Sequence, residues 1–315
     1  MQSQDNSGID ILVSEVGPRD GLQMLARTMP THAKLRWIEA LAHAGLPEIE
    51  VGSCVSPKRL PQMADTDDVI AHAVNNTQGT VILALVPNLR GAERAFAAGA
   101  HKVTIPVSAS RVHSQANLGM TPEDVIAQIR AIDALRRSWP GTKPRVEVGI
   151  STAFGCTMEG RIDEDWVIRL ASMAAEAGAD SVGLSDTTGM GNPAQVKRLF
   201  TALIRDLGMK AGGAHFHNTR GQGLANVVAA IDVGVTAFDS SQAGLGGCPY
   251  APGASGNIVT EDLVFMLEAM GLHTGIDLDK LADARRILAE SLPDETLYGH
   301  VPEAGLPVGF LYARS

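Results

Sequence analysis

Residues 177–186, Ala177-Gly178-Ala179-Asp180-Ser181-Val182-Gly183-Leu184-Ser185-Asp186, decide the fold. An apolar stripe ends just before them. Val167, Leu170, Ala171 and Ala174 fall at i, i+3, i+4 and i+7, which is one face of a helix. Gly178 supplies the left-handed residue that closes such a helix. Ser181–Ser185 follows as a short strand, and Asp186 stands at its C-terminal end. Helix, glycine, strand and carboxylate make one unit, and the helix-glycine-strand part of it recurs. Ala44-Gly45 precedes Glu48-Ile49-Glu50, Ala98-Gly99 precedes Lys102-Val103, and Val233-Gly234 precedes Ala237-Phe238.

Outward from this unit the pattern extends along the chain. Strands are predicted at Ile11–Val16, Glu48–Gly52, Thr80–Val86, His101–Val107, Arg145–Ser151, Ser181–Ser185, Gly213–His217 and Val235–Asp239, with Gly212-Gly213 as a helix-to-strand corner. Helix starts are marked by Asn192-Pro193 and by Thr121-Pro122-Glu123-Asp124, each an N-cap followed by proline at the first helical position. Eight β/α units in roughly 240 residues predict a (β/α)8 TIM barrel, which typically takes about 250. Residues 9–315 are expected to form this single barrel domain. A helical extension is expected from about 258, with helices around Ile258–Met270 and Leu278–Leu292. Residues 1–8, MQSQDNSG, are polar and expected to be disordered, with neither a signal nor a transit peptide. An open doubly wound sheet is disfavoured. Its glycine-rich phosphate fingerprint is missing after the first strand, where Gly17-Pro18-Arg19-Asp20-Gly21 stands instead.

Composition narrows the function. The formal net charge of -9 speaks against a nucleic-acid surface. No run of 18 apolar residues exists, so no membrane span is expected. Three cysteines at wide spacing fit a reducing, cytoplasmic setting better than a disulfide framework. Cys54 and Cys156 read as structural. His113, His273 and His300 read as packed or solvated, and Asp239 as structural.

In a barrel the chemistry gathers where strands end. The ends carry Arg19 and Asp20, Glu50, Asp186, then His215 and His217 in Ala214-His215-Phe216-His217-Asn218. Two histidines at i and i+2 on a strand face one way, which suits a pair of metal ligands. Closure sets strand 8 between strands 7 and 1. Asp20, His215, His217 and the long glycine-rich loop after strand 8 are therefore expected in one neighbourhood.

The chain resembles the 3-hydroxy-3-methylglutaryl-CoA lyases, within a wider barrel family of metal-dependent lyases and Claisen-type synthases. The resemblance rests on EVGPRDGLQ (Glu15–Gln23), SPK and PQM (Ser56–Lys58, Pro61–Met63), HFHNT (His215–Thr219), GLGGCPYAPGASGN (Gly244–Asn257) and TEDLV (Thr260–Val264). It implies that Asp20, His215, His217 and Asn257 bind a divalent cation, Mg²⁺ or Mn²⁺. Imidazole ligands leave Zn²⁺ or Co²⁺ open. It further implies that Arg19, with Gln23, binds the substrate at its thioester and that Cys248 is the acid/base. Glu50 and Asp186 would be carboxylates of the catalytic site. The expected partner is an acyl-CoA thioester, and the expected assembly a homo-oligomer, with a dimer as the fold-level guess.

The same roles follow from the demands of retro-Claisen cleavage. A cation makes loss of the tertiary hydroxyl proton feasible near neutral pH. A fixed guanidinium stabilises the departing enolate. A thiol can protonate the enolate carbon.

Several positions depart from the lyase pattern. Asn218 replaces an aspartate and Arg220 a tyrosine. Met24-Leu25-Ala26 replaces an asparagine-glutamate-lysine run, and Cys156-Thr157-Met158-Glu159 a cysteine-proline-tyrosine-glutamate run. Ile105-Pro106-Val107-Ser108 also differs. These positions surround the mouth, which leaves a different or longer acyl branch open as the substrate. A Claisen-type synthase and a non-catalytic barrel are the other readings.

Overall fold

The computed structural model describes residues 8–246 and 256–314. Among them, eight strands form one parallel sheet closed on itself in sequence order. They are β1 Leu12–Glu15, β2 Glu48–Ser53, β3 Val81–Leu85, β4 Lys102–Ser108, β5 Arg145–Ser151, β6 Ser181–Asp186, β7 Ala211–Phe216 and β8 Ala237–Ser240. The helices are α1 Thr31–His43, α2 Thr66–Asn76, α3 Leu89–Ala97, α4 Arg111–Leu118, α5 Pro122–Ser138, α6 Glu164–Glu176, α7 Pro193–Leu207, α8 Gly223–Ile231, α9 Thr260–Ala269, α10 Leu278–Ser291 and α11 His300–Ala304. This is the TIM barrel read from the sequence, with helices beyond it.

Local signals act as their chemistry requires. Thr121 and Asp124 exchange the reciprocal bonds of a capping box at the start of α5. Asn192 caps α7 by accepting from the Gln195 amide. The four glycines of the repeat, Gly45, Gly99, Gly178 and Gly234, all have φ between 94° and 117°, a range that L side chains rarely adopt.

Strand faces divide the core. On β5, Val146, Val148 and Ile150 are fully buried against the helices, while Glu147, Gly149 and Ser151 face inward and are partly accessible. The expected corner at Gly212-Gly213 lies inside β7 instead. A Cβ on Gly212 would sit 2.8 Å from Val182 C, and one on Gly213 2.7 Å from Ala237 O. The glycines are there because neighbouring strands approach closely, not because the chain turns; the turn is made by Gly208–Lys210.

The C-terminal helices are tied to the barrel through Gln242. Its Oε1 accepts from Trp37 Nε1 of α1, and its Nε2 donates to Leu281 O of α10. Among the described residues no helix is long and apolar enough to cross a membrane.

Candidate metal centre and active site

The site is assembled from three chain segments. After β1, residues Gly17–Gly21 form a π-turn in which Asp20 N donates to Val16 O at 2.7 Å. This turn presents Arg19 and Asp20 from consecutive positions. At the end of β7, His215 and His217 bring their Nε2 atoms to 3.0 Å. His217 lies one residue beyond the strand. It pairs there with Asn257 in an isolated antiparallel bridge. Asn218 N donates to Gly256 O and Ile258 N to Phe216 O, which fastens the segment around Asn257 to the end of β7.

Asp20, His215 and His217 each aim one ligand atom into a volume where all three lie within 4.8 Å of one another. Asp20 Oδ2 is 3.8 Å from His217 Nε2, and Asn257 Nδ2 donates to it at 2.8 Å. Asn257 Oδ1 is buried with no hydrogen-bond partner among the described residues. Two nitrogens about 2.1 Å from one ion at a right angle lie about 3 Å apart, close to the imidazole spacing found. Two imidazoles and one carboxylate therefore fit a divalent cation; the Asn257 amide presents Nδ2 to Asp20 and Leu245 O, so its oxygen joins them only once the amide turns over.

Charge keeps Asp20 and His217 in their ligating forms, while His215 is pushed toward its protonated form. Burial raises the Asp20 carboxyl, but Arg19 and the two histidines outweigh it and hold it down to about 2. Burial lowers His217 to about 4, with His215 adding to the effect, so this ring is neutral. Burial also disfavours charge on His215, but Asp239, with Oδ2 3.0 Å from its Nδ1, outweighs that and raises it. Asp239 thus orients a ligand candidate by accepting from Nδ1 and leaving Nε2 toward the site. The reading of Asp239 as merely structural overlooked this. The signal lay in the strand order, since Asp239 is the register partner of His215.

Arg19 is locked between carboxylates. Its Nε donates to Glu50 Oε2 and its Nη1 to Asp20 Oδ1, both at 2.5 Å. Burial opposes the guanidinium charge, and Glu50 and Asp20 more than compensate. Glu50 itself is pushed up to about 7 by burial, partly offset by Arg19. Its Oε1 has no partner among the described residues. Gln23 donates to Asp20 Oδ1 at 2.8 Å. Arg19, Asp20, Gln23, His215 and His217 all line a cavity of about 1220 Å³, and Glu50 lies behind Arg19. The cavity wall also includes His113, whose Nδ1 is 3.0 Å from Ser108 Oγ. His113 is buried, which agrees with its expectation as a packed histidine.

Asp186 is not brought to that wall. Its two oxygens accept from the Met190 and Gly191 amides at 2.9 Å each, and burial pushes it up to about 6. It closes the loop after β6. Its position at a strand end is as read, but the carboxylate turns into the loop. Cys248 lies outside the described residues. The glycine-rich stem before it closes directly on the centre. A Cβ on Gly246 would meet Asn257 Nδ2 at 2.6 Å and Asp20 O at 3.2 Å, and one on Gly256 would meet Gly244 O at 1.8 Å.

Residues 10–288 match the family model described as HMGL-like. The chain belongs to the HMGL-like family. The mitochondrial hydroxymethylglutaryl-CoA lyase of Rattus norvegicus is 40% identical over 286 residues, covering 91% of this chain and 87% of the relative. The hydroxymethylglutaryl-CoA lyase of Bacillus subtilis is 39% identical over 284 residues, 90% and 93% of the two chains. A solved HMG-CoA lyase from Acinetobacter baumannii, in complex with coenzyme A and 3-methylmalate, superposes with a TM-score of 0.88 at 39% identity and covers 99% of both chains. Within this HMGL-like chain, the segments that converge at the barrel mouth are those that carried the resemblance: the turn after β1, the end of β7 and the return at Asn257.

Proposed function

We propose that this chain is a metal-dependent carbon–carbon lyase. It cleaves 3-hydroxy-3-methylglutaryl-CoA, or an analogue with a different branch at C3, to acetyl-CoA and a 3-oxo acid, which is acetoacetate for the methyl compound. The observation that carries this reading is the meeting of Asp20, His215 and His217 with a buried guanidinium 2.5 Å from Asp20. Its neighbours in sequence and structure are lyases of this kind.

Asp20, His215, His217 and the Asn257 amide oxygen would hold the cation, Mg²⁺ or Mn²⁺ by preference. When bound, a divalent cation makes the 3-hydroxyl of the substrate acidic enough to ionise near neutral pH. Arg19, held by Glu50 and Asp20, would offer its remaining N–H to the thioester oxygen. Cleavage moves the C2–C3 electron pair onto C2, turns C3 into a ketone and leaves an enolate whose charge rests on that oxygen. A preorganised donor stabilises this charge without reorganising at the moment of reaction. Cys248 then gives C2 its proton, and the proton lost from the hydroxyl balances it. Burial of Arg19 and Asp20 keeps water from screening the pair.

A spectrophotometric assay with Mg²⁺ or Mn²⁺ tests the reading. Release of acetyl-CoA from a 3-hydroxy-3-alkylglutaryl thioester, lost on chelation, is expected. Absence of cleavage across a panel of such thioesters rejects it.

A further inference from the structure

A (β/α)8 barrel is ordinarily filled by layers of bulky branched side chains. Here β5, β6 and β7 turn small residues toward the cavity: Gly149, Gly183 with Ser185, and Gly213. The backbone dictates two of these glycines. A Cβ on Gly183 would lie 2.5 Å from Gly213 O, and one on Gly213 2.7 Å from Ala237 O. Gly149 is different. Its φ lies outside the left-handed range, and a Cβ there would meet only Ser185 Oγ, at 3.5 Å, an ordinary contact. The fold does not require glycine at 149. What glycine provides there is room.

That room belongs to the site. Gly149 pairs with Gly183 on β6, and Ser185 of β6 pairs with His215 on β7. At about 4.8 Å per strand, the open face of Gly149 lies roughly 10 Å from the metal-ligand candidate, within reach of the acyl part of a substrate anchored there. Around it, Thr104 Oγ1 and Ser151 Oγ are buried, line the cavity and have no hydrogen-bond partner among the described residues. Toward the N-terminal end of the barrel, Lys102 Nζ donates to Glu48 at 2.6 Å and Glu147 at 2.8 Å. Lys102, held between two carboxylates, has no spare positive charge to offer an anionic group.

We infer that Gly149 sets the acyl specificity: the cavity takes thioesters whose C3 branch is uncharged and larger than methyl, with the branch over Gly149. This rests on the thioester reading above and adds the size and charge of the branch.

The test uses the full chain with Mn²⁺ and two analogues that lack the 3-hydroxyl and are not cleaved, 3-methylglutaryl-CoA and 3-propylglutaryl-CoA. Calorimetry measures their affinities. The unaltered chain should bind the propyl compound at least as tightly as the methyl one. Gly149→Val should weaken the propyl compound at least tenfold relative to the methyl, because one methylene in a filled pocket changes discrimination roughly 10–200-fold. Gly149→Ala, which adds only the tolerated Cβ, should shift the ratio the same way by less. Turnover of the 3-hydroxy counterparts should follow. An unchanged ratio in both variants, with the methyl compound still bound and its 3-hydroxy form still cleaved, overturns the inference and leaves the lyase reading standing. So does tightest binding of a 3-carboxymethyl analogue. A chain that holds Mn²⁺ but neither binds nor cleaves any of these thioesters overturns both.

Discussion

Asp239 and His215 face each other across adjacent strands, partners in the β7–β8 register, with Asp239 Oδ2 3.0 Å from His215 Nδ1. The carboxylate fixes the ring's tautomer and makes its other nitrogen a better donor. Loss of such a partner typically lowers metal affinity about 10–100-fold. Asp239→Asn is therefore expected to weaken Mn²⁺ binding by that factor and leave the thermal midpoint nearly unchanged. Titration calorimetry with Mn²⁺ checks it; wild-type affinity in the variant would show that His215 needs no such support.

Arg19 offers a second separable effect. Its fork grips Glu50 through Nε and Asp20 through Nη1, so the guanidinium is oriented before any substrate arrives. Lysine keeps the charge but has no fork to be held in two directions. Arg19→Lys is expected to lower kcat about 10²–10³-fold, the usual cost of one preorganised donor, with a smaller change in KM. Steady-state kinetics on the cleaved thioester decide it. A change confined to KM would place Arg19 in ground-state binding alone.

The barrel was legible because its signals are local. Helix stripes, the glycines that end helices and short strands repeat along the chain, and each needs only neighbours in sequence. Asp20, His215 and His217 were legible as a group because closure leaves strand ends few places to go. Asn257 could be assigned from sequence only through the family resemblance. Its position depends on an antiparallel bridge to His217, a pairing made by residues 40 apart that no periodicity announces. Asp239 was missed because its role depends on register, not on spacing. Gly212-Gly213 misled because glycine serves both turns and close strand approach, and composition does not separate the two. Asp186 shows a further limit. A carboxylate at a strand end can point into the cavity or back onto loop amides, and here the Met190 and Gly191 amides hold it.

Cys248 follows Gly246 by two residues, and Gly246 lies against Asp20 and Asn257. A proton donor on that loop would act after carbon–carbon cleavage, so its removal should leave earlier steps intact. Cys248→Ala is expected to lower kcat by about 10²–10⁴-fold, the range of general acid contributions. Affinity for Mn²⁺ and for a non-cleavable thioester should stay within a factor of two or three. Near-normal turnover in the variant would assign the proton to another group.

Glu15 provides a pH signature away from the metal centre. Burial pushes its carboxyl up to about 8 from 4.5, against the hydrogen bonds it receives from Thr260 Oγ1, Gln242 N and Gly17 N, with the Glu261 charge adding to the rise. The folded state therefore keeps a proton that the unfolded chain releases near pH 4.5. The stability this contributes is fully present below that pH and is lost as pH rises through 8, at up to about 1.4 kcal/mol per pH unit. Glu50 and Asp186, also raised, act in the same direction, so only a difference isolates Glu15. Glu15→Gln reproduces the protonated form, since its amide nitrogen can donate to Thr260 Oγ1 while its oxygen accepts from Gly17 N and Gln242 N. Urea unfolding at pH 5 and pH 8.5 should show the natural chain losing more stability than the variant over that span. Parallel losses in the two proteins would mean that Glu15 stays ionised in the folded barrel and that its hydrogen bonds, not its burial, control its charge.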